Sequence, residues 1–207
     1  MGRRLITMWA LCACLTACGS TPPREDQPSS ATFTTSQEGL DSTVVAMTAR
    51  LASEPTDSEA AVRLADAWLR QARVLNRGSL AIQAEAVLDR VITRHHADYL
   101  ARRMRATVYL AQHRFAEAIL EAERCRALRA NDPVIDGILG DAHLELGDRE
   151  KAFDAFDRML AQRPDATSYA RASYAHELQG DISGALTLMN MADSATSAHD
   201  VESQAWH

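Results

Sequence analysis

The chain has 207 residues, 46% apolar but only 5% aromatic, with Ala and Leu dominating the apolar set, which suits a single helical domain with a sizeable core. A formal net charge of −6 and the absence of any basic run argue against nucleic-acid binding, which needs clustered Lys and Arg. Past the first seventeen residues, no stretch approaches the ~20 apolar residues of a membrane span.

Those seventeen residues, MGRRLITMWALCACLTA, have the grammar of a secretory leader: Arg3 and Arg4, then a short apolar run from Leu5 to Leu15. The run ends in Leu15-Thr16-Ala17-Cys18, followed by Gly19-Ser20, which resembles a bacterial lipobox. The resemblance implies cleavage before Cys18, attachment of lipid (palmitate among the acyl chains) to that residue, and a location at the bacterial envelope. The periplasmic side is implied, and Gly19 in place of Asp favours the outer membrane over the inner. An ordinary secretory signal or an uncleaved anchor remains as the alternative. Loss of residues 1–17 leaves 20 Lys and Arg against 28 Asp and Glu, a net −8. Cys125 is then the one thiol neither removed nor acylated, so the fold must do without an internal disulfide. Residues 18–37, rich in Pro, Ser and Thr, read as a flexible tether.

Helical periodicity begins near residue 40, where Leu40, Val44, Met47 and Leu51 mark one helix face. Pro55, Pro133 and Pro164, with glycines at 78, 147 and 180, punctuate the rest, and no sustained strand-type alternation appears. The expectation is an all-α domain over 38–207. A period then emerges: GDREKAF (147–153) and GDISGAL (180–186) place an Ala five residues after a Gly-Asp turn, and HRFAEAI (113–119) repeats the form with His for Gly. Ala118, Ala152 and Ala185 stand 34 and 33 residues apart.

Residues 133–166, PVIDGILGDAHLELGDREKAFDAFDRMLAQRPDA, resemble a tetratricopeptide repeat (TPR) unit, with Leu139, Gly140, Ala152, Phe156 and Pro164 at that family's preferred types. The resemblance extends over units at about 58–98, 99–132, 133–166 and 166–202, with 38–54 as half of a preceding unit and 201–207 as the start of an incomplete one. It covers about 150 residues and implies an α-solenoid of stacked antiparallel helix pairs, about 3.5–4.5 units long. Ala65, Ala106, Gly140 and Ser173 on the first helices, and Ala84, Ala118, Ala152 and Ala185 on the second, supply the small residues such pairs need. Three features depart from the motif: Arg105 stands where Leu is usual, Ala130 replaces the Pro that closes a unit, and the first unit carries roughly seven extra residues in its first helix or turn. Trp206 in VESQAWH falls where a further first helix would carry an aromatic. That stub is open to two readings, an array cut short or a segment packed on the last repeat or another subunit.

Asp141, His143 and Glu145 are the most chemically suggestive cluster. On a helix Asp141 and Glu145 lie about 40° apart, but His143 is turned about 200° from Asp141, so the three cannot share a metal or a proton. His143 instead shares a register with Trp68, Tyr109 and His176, where packing between helices is expected. A metal held between His143 and His176 would lack a third ligand. Cys125 reads as a core thiol, and neither a nucleophile elbow nor a phosphate-binding loop occurs. No catalytic residue, metal or cofactor is expected.

The TPR resemblance implies a concave groove of first helices that binds an extended peptide or a helix of a protein partner. The groove-facing register falls on Asp66, Leu69 and Arg70, on Arg103, Thr107 and Leu110, on Asp141, Leu144 and Glu145, and on Tyr174 and Glu177. This series runs from basic to acidic. The expected function is a lipid-anchored, non-catalytic adaptor, with a pilotin-like assembly factor as a variant. The competing classes are a metal or small-molecule receptor, an accessory subunit of an enzyme, and a fragment of a longer repeat protein.

Overall fold

The computed structural model describes residues 37–196, which lie in one compact unit, Phe33–His207. A second unit, Met1–Thr32, falls wholly outside the described residues, as do the leader, Cys18, almost all of the tether and the stub with Trp206.

The described residues form helices joined by short turns: α1 (Gln37–Ser53), α2 (Ser58–Leu75), α3 (Ser79–Arg94), α4 (Tyr99–Ala111), α5 (Phe115–Leu128), α6 (Pro133–Glu145), α7 (Arg149–Gln162), α8 (Ala166–Leu178) and α9 (Ile182–Ala195). Each helix packs on the next in sequence, and α4 also packs on α2 and on α6. Four helical hairpins, α2–α3, α4–α5, α6–α7 and α8–α9, are thereby stacked with their first helices forming an inner layer. The second helices form the outer one, and α1 packs on α2 as a second helix would. This is the all-α solenoid that the repeat pattern implies.

Turn chemistry explains where each hairpin reverses. Gly147 and Gly180 adopt φ of 82° and 83°, a left-handed conformation that costs an L-residue roughly 1–2 kcal/mol. His113 and Asn76 occupy the same place in their turns with φ of 58° and 51°. The additional residues of the first hairpin are helical. Helix α2 has 18 residues where α4, α6 and α8 have 13, and α3 has 16 where α5, α7 and α9 have 14.

The starts of the first helices follow one device. Asp57, Asp98, Asp132 and Asp165 each precede a first helix and accept a backbone N–H of its first turn, from Ala60, Ala101, Val134 and Ser168 respectively. Three of these acids reach back to the preceding repeat. Ser58 donates to Asp98 at 2.8 Å, Tyr99 and Arg103 donate to Asp132, and Arg50 pairs with Asp57.

Inside each hairpin the small residues permit close approach. Ala65, Ala84, Ala106, Ala118 and Ala152 are fully buried, and Ser173 donates to the carbonyl of Ala185 at 2.7 Å. A Cβ added at Gly140 would overlap the ring of Phe156, itself buried to 1%. Leu88, Leu139, Ile135 and Phe156 are the larger core contributors, each worth about 1.5–3 kcal/mol on burial.

At two of the outer seams a charged bridge rooted on the inner helix between them fills the space. Between α3 and α5, Arg105 of α4 reaches Asp89 at 2.5 Å and Glu121 at 2.9 Å, while Arg102 and Arg124 also bind Glu121. Between α5 and α7, Asp136 of α6 accepts from Arg126 at 2.9 Å, Arg158 at 3.0 Å and Gln162 at 2.6 Å. Burial alone would raise the pKa of Glu121, but the hydrogen bond from Arg124, the charge of Arg105 and the bond from Arg102 outweigh it and hold the carboxylate ionised. The departure of Arg105 from the motif is thus matched within its own hairpin. Its register mate Leu139, and Glu121's mate Ala155, form an apolar pair in the next unit.

Four substitutions test these assignments by urea unfolding. Gly140→Ala is expected to destabilise by about 1–3 kcal/mol through overpacking against Phe156. His113→Gly relieves the left-handed backbone and stabilises by up to about 1 kcal/mol. Glu121→Ala removes the shared acceptor of three arginines and costs about 3–5 kcal/mol, part of which Arg105→Leu on the same chain recovers, giving a coupling of about 0.5–3 kcal/mol in the double-mutant cycle.

Candidate functional site

The inner layer carries the residues expected to face a groove, and their neighbours decide which of them are open to a ligand. Leu69 is buried in the core against α3 and α4. Leu110 and Leu144 are half-buried against the cores of their own hairpins, and the Thr107 hydroxyl donates to the Arg103 carbonyl at 3.3 Å. Arg70 pairs with Asp66 at 3.0 Å along one helix. Arg103 lies 3.0 Å from Asp132 and beside the ring of Tyr99. Asp141 accepts both arms of Arg171, at 2.9 and 2.7 Å, across the α6–α8 step.

These pairings revise the expected gradient along the inner face. Its basic members, Arg70 and Arg103, are neutralised by acids, and Asp141 is neutralised by Arg171. Three of the expected residues are exposed: Glu145 on α6, and Tyr174 and Glu177 on α8, with Tyr174 49% exposed. Glu145 follows Asp141 by one turn and Tyr174 follows Arg171 by one turn, so the Asp141–Arg171 clasp brings both helices' open residues to one corner. Glu177, one turn beyond Tyr174, extends the same face. The result is an acidic patch centred on a half-open phenol, built on rigid helices.

The two histidines of the expected packing register differ in exposure. His143 is largely covered, and burial lowers its pKa, with Asp148 3.9 Å from its Nδ1. His176 keeps 41% of its side chain exposed, and its Nδ1 lies 2.8 Å from Asp181. Each imidazole therefore faces the aspartate that caps the second helix of its own hairpin. Among the described residues no three His, Cys, Asp or Glu side chains are grouped to hold a metal. Cys125 is fully buried in α5, and burial pushes its thiol up to about 12, which removes thiolate at neutral pH. No described helix is long and apolar enough to cross a membrane.

Sequence reasoning passed over the capping aspartates and the two buried carboxylates. The first had a readable signal, an Asp immediately before each first helix at 57, 98, 132 and 165. The second had none, because a buried Glu121 in AEAILEAERC looks like any surface acid of an amphipathic helix.

Comparison with known proteins places this geometry. No family model and no curated protein matches the chain. Among solved structures, a thermophilic TPR protein of Thermus thermophilus superposes with a TM-score of 0.68 at 16% identity, over 82% of this chain and 89% of its own. A TPR protein of Parabacteroides merdae gives a TM-score of 0.66 at 14% identity, over 81% of this chain and 63% of its own. A crystal structure of MamA gives 0.57 at 18% identity, over 82% and 93%. The stacked hairpins superpose on those of tetratricopeptide-repeat proteins, and this chain has that fold.

Proposed function

We propose that the chain is a non-catalytic protein-binding scaffold, held by lipid on Cys18 at the periplasmic face of a bacterial envelope, on the outer membrane rather than the inner. The observation that carries the binding role is the acidic corner of the inner layer, where Glu145, Tyr174 and Glu177 stand open between neutralised pairs. An extended segment or helix with basic residues flanking an apolar one complements it, the apolar residue against the Tyr174 ring and the cations on the two glutamates. The anchoring role is supported by the leader-like residues 1–17 and the cysteine that follows them.

Photo-crosslinking from position 174 in native envelopes tests the reading. A discrete adduct is expected with the wild-type flanks, to be lost when Glu145→Lys and Glu177→Lys are introduced together. An adduct indifferent to both charge reversals removes the corner as the binding face. Membrane fractionation of Cys18→Ala is expected to release the protein from the membrane pellet, and retention of that variant would refute lipid anchoring.

A further inference from the structure

The repeat places an arginine at the same register of three consecutive outer helices: Arg90 on α3, Arg124 on α5 and Arg158 on α7, 34 residues apart. Two of them meet a buried carboxylate. Arg124 lies 2.8 Å from Glu121 and Arg158 lies 3.0 Å from Asp136, and each carboxylate belongs to the charged bridge at its outer seam.

The first seam, between α1 and α3, is built otherwise. The register mates of Arg105, Glu121 and Asp136 there are Leu64, Val87 and Ala61, all apolar and buried. With no charged bridge to fill it, the seam holds a recess of about 380 Å³. Leu64 and Trp68 of α2 form its floor, Leu51 of α1 and Val87 of α3 its walls, and Arg90 and Gln83 stand at its rim. Among the described residues Arg90 has no ion-pair or hydrogen-bond partner.

We propose that this recess is a binding site for an apolar monocarboxylate, whose body lies on Trp68 and whose carboxylate takes on Arg90 the place that Glu121 and Asp136 take in the neighbouring seams. Size supports a small group: the volume is at the lower end of the ~300–1,000 Å³ range of small-ligand pockets. The chemistry is set by the two kinds of lining. An aliphatic and indole floor favours a hydrocarbon or aromatic body, and a guanidinium at the rim favours a planar anion that accepts two parallel N–H bonds. Such a carboxylate has two sources, a free organic acid or the C-terminus of a peptide ending in an apolar residue. The site lies on the outer layer, away from the acidic corner of the inner one, so it stands or falls independently of the scaffold reading.

The test uses the full chain with Trp9→Phe and Trp206→Phe, leaving Trp68 as the reporter. Trp68 emission is followed while 3-phenylpropionate, its amide, and a short peptide ending in Phe with a free or an amidated C-terminus are titrated. Saturable binding of at least one acid is expected, weakened about tenfold or more in the matching amide and by Arg90→Gln, and abolished when Ala86→Phe fills the opening. Arg90 is exposed, so Arg90→Gln keeps the test decisive even where Ala86→Phe disturbs folding. Whichever acid binds more tightly in this carboxylate-dependent way identifies the source. Equal binding of acid and amide, an unchanged affinity in Arg90→Gln, or no saturation at millimolar concentration overturns the proposal.

Discussion

The capping aspartate at the start of each inner helix is the interaction on which the stack depends. A helix N-terminus leaves backbone N–H groups without partners, and one carboxylate oxygen satisfies one of them. At Asp98 and Asp132 the same side chain also binds the first residue of the preceding inner helix, Ser58 or Tyr99. Local helix initiation and repeat-to-repeat attachment are thereby coupled through single residues. Burial alone would raise the Asp132 pKa, yet the Tyr99 hydroxyl, the Val134 N–H and Arg103 keep it below the usual carboxylate range. A helix that frays at this point also loses its hold on its neighbour, which is how a linear array acquires cooperativity beyond each hairpin.

Much of this architecture was legible in the residues. Spacing among Ala118, Ala152 and Ala185 gave the period, the Gly-Asp turns gave the reversals, and the face Leu40, Val44, Met47, Leu51 gave α1. His113, which aligns with Gly147 and Gly180, shares their left-handed conformation. The inner face was legible as a register but not as a surface. A register states which way a side chain points, whereas openness depends on partners some 30 residues away, such as Arg171 for Asp141 or Asp132 for Arg103. Those pairings are tertiary and leave no periodic trace. The empty outer seam was invisible for the same reason, since its meaning comes from what two other seams contain.

Two neighbouring hairpins also show two solutions to one packing problem. A Leu and an Ala fill the space within the α6–α7 hairpin, where α4–α5 uses an arginine and a glutamate. Apolar packing tolerates sliding, whereas a carboxylate satisfied by Arg102, Arg105 and Arg124 fixes helices in one alignment. The middle of the array is therefore pinned by directional contacts, while its first hairpin rests on a larger apolar cluster drawn from α1 to α4.

The greater length of α2 has a consequence for recognition. A solenoid of near-identical hairpins has translational pseudosymmetry, and a ligand reading only the repeated features loses little by seating itself one unit along. Helix α2 exceeds the other inner helices by five residues, a rise of about 7.5 Å. Its last turn carries Val74 and Leu75 into solvent, 69% and 41% exposed. That overhang forms a step at one end of the stack, giving the molecule a fixed origin and a polarity. A ligand that abuts the step has one register available to it.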